Sequence, residues 1–181
     1  IAPGDIPVSV IQPLVLEMKK NGAKIAMNPS GHYIRLGREK IKSVIDALDV
    51  VILNMEEASL LTGAAYGNQK EILKKMNAFF SGVLVITDGK KGAFVSDGRC
   101  LYKTGVFREK KIIDRTGAGD AFGSGFVLAL ASGYDIHYAL RLASANATSV
   151  VEHIGAQEGI LTPKGFQSKR WRFLDLDVEP L

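Results

Sequence analysis

The stretch Asp114-Arg115-Thr116-Gly117-Ala118-Gly119-Asp120-Ala121-Phe122 concentrates residue types that handle anions and protons. Its glycines let the backbone approach a ligand closely, and the apolar positions Phe122, Phe126 and Leu130 that follow at helical spacing place those glycines at a helix start. The first turn of a helix carries N–H groups without intrahelical partners and a partial positive charge. Glycines and helix start together form an anion site. Two familiar phosphate schemes are excluded. Phe122 stands where a dinucleotide fingerprint needs its third glycine, and no Gly-Lys-Ser/Thr follows as in a P-loop.

Asp120 is the odd member, because a carboxylate facing a bound phosphate repels it by roughly 1 to 4 kcal/mol at ~4 Å for effective dielectrics between water and a protein surface. The residues alone leave two readings open. Asp120 is either a first-turn acid complementing the helix dipole, or the base that takes the proton of a hydroxyl attacking phosphorus while amides and a divalent cation hold the transferred group. A carboxylate suffices for the second role when the transition state is loose, since the proton need leave only late.

Asn54 and Glu57 stand three residues apart directly after the apolar run Val50-Val51-Ile52-Leu53, at a strand's carboxyl end, where α/β sheets bind ligands. That spacing suits a cation site or a capping box. Thr87-Asp88-Gly89 ends another apolar run, Val83 to Ile86, and Gly92 follows shortly after. Cys100, His32, His137 and His153 are not grouped with metal-ligand or triad spacing, which argues against zinc and cysteine-nucleophile chemistry.

The elements that must position these residues alternate between strand and helix. Asp5 can cap a helix carrying Ile6, Val10, Leu14 and Met18, ending at Asn21-Gly22, and Ile25 to Met27 is a short strand. Asn28 to Gly31 reads as a turn, Lys40 to Leu48 as a helix and Val50 to Leu53 as a strand covered on both faces, which implies a parallel sheet. Met55 to Thr62 and Gln69 to Phe80 are helical, and Lys91 to Ser96 with Arg99 to Thr104 form a hairpin about Asp97-Gly98. Helices over Ala118 to Ser132 and Ile136 to Glu152 follow. From Pro163 onward the periodicity fades, and Asp175 to Leu181 reads as a frayed end. The expected class is α/β, with residues 1–162 as the chemical unit and 163–181 as an extension.

Composition agrees. The chain has 181 residues, 46% apolar and 23% charged, with one cysteine and a net charge of +4 that is spread rather than gathered into a basic tract. This fits one globular domain in a reducing compartment, by default the cytoplasm, without a nucleic-acid partner. No apolar stretch approaches the ~20 residues of a membrane span.

The motif DRTGAGDAFGSGF resembles the C-terminal signature of the ribokinase-like (PfkB) family of carbohydrate and nucleoside kinases. Three more stretches match in order: Asn54-Met55-Glu56-Glu57 resembles the family's NxxE motif, Thr87 to Gly92 its TxGxxG turn, and Gly155-Ala156-Gln157 the loop after the penultimate helix. The resemblance implies a three-layer α/β/α fold with a mostly parallel sheet. It implies transfer of the γ-phosphate of ATP to a sugar hydroxyl, or to a nucleoside in the alternative. Asp120 becomes the base, Gly117, Ala118 and Gly119 the anion hole, and Glu57 with Asn54 the support for Mg²⁺ through water. Thr87, Gly89, Gly92 and Asn146 would line the nucleotide, and Asp114 and Thr116 would hold a monovalent cation such as K⁺, as in some relatives. A homodimer is implied for the full-length protein.

Arg115 departs from the small hydroxyl residue usual at its place, and neither the glycine-rich sugar site nor the lid of the family is visible before Ile1. The resemblance covers the C-terminal three-fifths of such a kinase, so the chain alone is expected to show little turnover. The competing class is a non-catalytic nucleotide-binding module, which would not need Asp120. A dinucleotide-dependent oxidoreductase lacks its fingerprint glycines.

Overall fold

The computed structural model describes residues 1–181. The helices are α1 (Val8–Lys20), α2 (Gly31–Leu36), α3 (Arg38–Ile45), α4 (Met55–Thr62), α5 (Gln69–Phe79), α6 (Ala118–Ala131), α7 (Ile136–Val150) and α8 (Pro163–Phe166). Between them run the strands β1 (Ala26–Met27), β2 (Val50–Asn54), β3 (Val83–Thr87), β4 (Ala93–Ser96), β5 (Cys100–Thr104) and β6 (Leu176–Pro180). The sheet has the order β1-β2-β3-β4-β5-β6, with β1, β2 and β3 parallel and Asn54 registered opposite Thr87. The expected α/β class is what the chain adopts. No helix is long and apolar enough to cross a membrane.

The chain forms two compact units. Unit 1 comprises Ile1–Asp88, Phe94–Tyr102 and Val178–Leu181; unit 2 comprises Gly89–Ala93 and Lys103–Asp177. In unit 1 the apolar runs of β2 and β3 are buried along most of their length, as strands covered on both faces should be. Asp49 locks the starts of three strands. Its backbone N–H donates to Ile25 O at 2.8 Å and its carbonyl accepts from Val83 N at 2.9 Å. Its carboxylate accepts from Ile25 N at 2.9 Å and pairs with Lys19 at 2.8 Å and Lys24 at 3.1 Å.

Unit 2 is built on α6 and α7. Small residues let these helices approach closely: a Cβ on Gly125 would lie 2.8 Å from Asn146 Nδ2 and 3.3 Å from Ala143 Cα. A separate apolar cluster joins Phe107, Ala145, Phe166 and Trp171, with the Phe107 and Trp171 rings meeting edge to face at 5.1 Å.

Two expectations are corrected and one helix, α2, is added to them. The buried stripe of α1 is Ile11 and Val15 with partly buried Val8 and Met18, while Val10 and Leu14 are half exposed; Asp5 lies before the helix and Pro7 occupies the cap position. Both faces of α1 are apolar, so periodicity alone did not choose between them. The turn at Asn28 to Gly31 leads into α2, where Tyr33 is buried and its hydroxyl donates to Ile6 O at 2.7 Å. The presumed frayed end is strand β6, an addition to the sheet beside β5. Gly105 N donates to Asp175 O at 3.1 Å and Leu181 N to Arg99 O at 3.0 Å. Backbone pairing rather than side-chain pattern holds it, which is why an exposed, polar sequence concealed it.

Burial acts to raise the pKa of Asp49, but hydrogen bonds from Lys19, the Ile25 N–H and Lys24 overcome it and hold the carboxyl at about 2, from an ordinary 3.8. A depressed folded-state pKa stabilises the fold above the unfolded value, and the contribution disappears as pH falls through the folded one. The stability difference between the wild type and Asp49→Asn, measured by urea unfolding, is expected to be largest near neutrality and to vanish as pH drops from about 4 to about 2. A difference independent of pH would contradict the assignment.

Candidate functional site

In unit 1 the carboxyl ends of β2 and β3 carry Asn54 and Thr87 side by side. Asn54 caps α4 through a reciprocal capping box: Glu57 N donates to Asn54 Oδ1 at 2.8 Å, and Asn54 N donates to Glu57 Oε2 at 2.8 Å. Glu57 Oε1 makes no protein hydrogen bond. Burial raises the pKa of the Glu57 carboxyl, and the neighbouring Glu56 adds to this against the hydrogen bond from Asn54. A half-buried carboxylate with one oxygen uncommitted is the electrostatic setting that a cation relieves. Thr87 is engaged only weakly, its hydroxyl 3.5 Å from Leu53 O.

In unit 2 the segment from Gly105 to Thr116 has no regular structure, yet it is fastened at successive points to the end of α7. Lys110 N donates to Glu152 Oε1 at 2.5 Å, and Ile113 N and Asp114 N donate to Val151 O at 2.9 and 3.3 Å. Glu152 is buried and forked onto Arg170, with Nη2 to Oε1 at 2.5 Å and Nη1 to Oε2 at 2.8 Å, while Arg170 Nη2 also donates to Arg108 O at 3.0 Å. Arg170's paired hydrogen bonds hold the Glu152 carboxyl below its ordinary range despite burial.

Asp114 finishes the fastening. Its Oδ1 accepts from Thr116 N at 2.9 Å and its Oδ2 from Gly155 N at 3.1 Å, bonds that keep its carboxyl low. Both oxygens of this implied cation ligand are therefore engaged by backbone. Gly117 follows as the N-cap of α6 with φ 78°, and a Cβ there would meet Ala156 Cα and Cβ at 2.6 Å. The loops 114–117 and 155–156, matched separately in the sequence, thus touch.

The chemical consequence lies on the first turn of α6. Gly117 N, Gly119 N and Asp120 N have no protein acceptor, and Ala118 N makes only a 3.3 Å bond to Arg115 O. Asp120 is exposed on that turn, and its carboxylate makes no hydrogen bond and no ion pair. Arg115 reaches Glu109 at 3.8 Å.

Gly92 has φ 92° and a Cβ there would fall 1.7 Å from Thr104 O, so close backbone approach alone demands glycine. Gly89 begins a single helical turn that ends at Lys91. Asn146 is 4% exposed, with Oδ1 accepting from Leu161 N at 3.0 Å, so its side chain secures the segment after α7. Sequence reasoning missed the Glu152–Arg170 pair. The only available signal was a glutamate at the end of a helix ahead of an aperiodic segment.

Residues 4–163 match the pfkB family of carbohydrate kinases. The ribokinase of Haemophilus influenzae is 33% identical over 162 residues, covering 87% of this chain and 51% of its own length. The ATP-dependent 6-phosphofructokinase of Thermoanaerobacterium thermosaccharolyticum is 31% identical over 153 residues, covering 82% and 47%. The structure of Arabidopsis thaliana ribokinase complexed with ribose and ATP is similar with a TM-score of 0.81 at 23% identity, over 92% of this chain and 53% of that one. This chain spans about half the length of the relatives it matches.

Gly117 and Gly119 separate structural from chemical need. Gly117→Ala, strained at positive φ and set against Ala156, is expected to destabilise the fold by about 2 kcal/mol or more. Gly119 lies in the helix with nothing within 4 Å of an added Cβ. Gly119→Ala is therefore expected to be neutral or stabilising by up to about 1 kcal/mol. Urea unfolding of both variants decides this, and equal losses would refute it.

Proposed function

Because the chain belongs to the pfkB carbohydrate kinase family, we propose that it carries the catalytic half of an ATP-dependent sugar kinase, with Asp120 as the base. The observation behind this reading is the exposed, unpartnered carboxylate of Asp120 beside amides that have no protein acceptor. A nucleotide-binding module would need the amides but gains nothing from the carboxylate, which opposes a bound phosphate.

In the proposed reaction the acceptor hydroxyl oxygen forms a bond to the γ-phosphorus, the bond from that phosphorus to the bridging oxygen of ADP breaks, and the hydroxyl proton passes to Asp120. Charge on the equatorial phosphoryl oxygens is met by the N–H groups of Gly117 and Gly119, which have no protein acceptor. Gly119 has no steric need to be glycine, and close approach of the phosphoryl group supplies one.

No group of three or more His, Cys, Asp and Glu side chains stands ready to hold a metal. That fits Mg²⁺, which keeps several waters and binds through one or two carboxylates plus substrate phosphates. Glu57, with Asn54 holding it, is the residue that would take this role through a water, and the ion would screen phosphate charge. Thr87, Gly89 and Gly92 remain the proposed border of the nucleotide. Asn146 would act there through the segment it fixes. A monovalent cation would share Asp114 with two N–H groups and is assigned no step.

Asp120→Asn is expected to leave ATP affinity within about threefold by calorimetry and to lower transfer by about 10²- to 10⁴-fold. Transfer is measured with ribose, fructose 6-phosphate and cytidine in this chain joined to the half of the Haemophilus ribokinase that the match leaves uncovered. Undiminished transfer removes Asp120 from the chemistry; parallel loss of binding makes it structural. Glu57→Gln retains an acceptor for Asn54 N and should preserve the helix cap, so a tenfold or greater rise in the Mg²⁺ concentration for half-maximal rate, ~1.4 kcal/mol, is expected without loss of stability. An unchanged Mg²⁺ requirement excludes Glu57 from metal support.

A further inference from the structure

A cavity of about 340 Å³ in unit 2 opens between the first turns of α7 and the residues at and before the start of β6. It lies at the start of α7, whereas the Gly155 loop follows the other end, a separation of roughly 20 Å along the helix. Its volume falls in the range of small-molecule sites, ~300 to 1,000 Å³. Asp135, Tyr138, Arg141, Arg172, Phe173 and Leu174 contribute to its wall.

Arg141 gives the cavity its chemistry. Its Nε is the buried side-chain polar atom that has no hydrogen-bond partner. The guanidinium packs beside two rings that meet each other edge to face, 5.2 Å from the centroid of Tyr138 and 5.1 Å from that of Phe166, and its Nη1 donates to Arg172 O at 3.3 Å. The charge is thereby oriented while the second Nη has no carboxylate to meet. That nitrogen can donate to an oxygen of a phosphate or carboxylate, whereas the buried Nε faces protein. Arg172 adds a second cation, exposed and without an ion pair. Asp135 supplies the opposing feature: one carboxylate oxygen accepts from Tyr138 N at 2.8 Å, and the other is available to a donor. Phe173, 89% exposed, and Leu174 give an apolar side.

A simple anion satisfies the arginines but meets Asp135 unfavourably; a neutral sugar satisfies Asp135 but leaves the two guanidinium charges unmatched. We propose that this cavity binds a phosphate monoester bearing hydroxyl groups, with phosphoryl oxygens on Arg141 and Arg172, a hydroxyl donating to Asp135 and the carbon skeleton against Phe173 and Leu174. A phosphorylated sugar and a nucleoside monophosphate share this chemistry.

The arginine Nε–H resonances of the ¹⁵N-labelled 181-residue chain report the site directly, with Arg141 assigned by the signal lost in Arg141→Lys. Ribose 5-phosphate, adenosine 5′-monophosphate and inorganic phosphate serve as separate probes. The Arg141 signal is expected to move saturably with at least one ester, with Kd on the order of 1 mM or tighter, and Arg172→Ala should weaken this roughly fivefold or more. A response to ribose 5-phosphate alone identifies a sugar ester, and a response to the nucleotide alone identifies a nucleotide. Silence toward both esters, an equal response to inorganic phosphate, or unchanged affinity in Arg172→Ala overturns the proposal.

Discussion

The proposed chemistry depends on how an irregular segment is held still. Residues 105–116 have no ladder of their own, so their backbone groups must find partners elsewhere, and three of their N–H groups find them at the C-terminal end of α7. Val151 O takes two N–H groups, Glu152 takes a third, and Asp114 closes the arrangement by accepting from Gly155. The close approach of α6 and α7 at Gly125 fixes the helix bearing Asp120 relative to the helix that anchors the loop. Rigid placement matters because amides pre-aimed at developing charge need no reorganisation during reaction.

Glu152 and Arg170 extend this hold into the C-terminal segment. Removing either partner of a buried pair leaves the other uncompensated, a far larger penalty than the net worth of the pair itself. Phe166 and Trp171 set that segment into an apolar cluster, and Arg170 lies 4.1 Å above the Trp171 ring. Residues 163–171, which resemble no motif, therefore help to hold the segment 105–116.

What could be read from the sequence follows the range of the forces involved. β2 and β3 were legible because burial on both faces requires uninterrupted apolar residues, and α6 and α7 because their lengths and spacing leave few alternatives. The burial of α1 was not, since Val10 and Leu14 are as apolar as Ile11 and Val15 and only the neighbouring elements decide which pair is covered. β6 was not legible because main-chain hydrogen bonds leave no trace in residue type. The site divides in the same way. Asn54 and Glu57 interact within one helical turn, so their spacing carried the information. Glu152 and Arg170, or Gly117 and Ala156, meet only after the chain has folded.

That distinction bears on how a glycine motif should be interpreted. Gly117 and Gly119 are two residues apart and would be assigned one role from their spacing, yet backbone geometry and Ala156 account fully for Gly117 and leave Gly119 unexplained. A helix gains up to about 1 kcal/mol when an exposed interior glycine becomes alanine. A glycine with room for a methyl group in a favourable helical conformation thus gives up stability that nothing inside the fold recovers. Asp120 is an exposed carboxylate without a side-chain partner, whereas Asp114 is wholly accounted for by the bonds it accepts. Gly119 and Asp120 both stand on the first turn of α6, and the proposed reaction, with a phosphoryl group approaching the amides and a hydroxyl releasing its proton, would account for both at once.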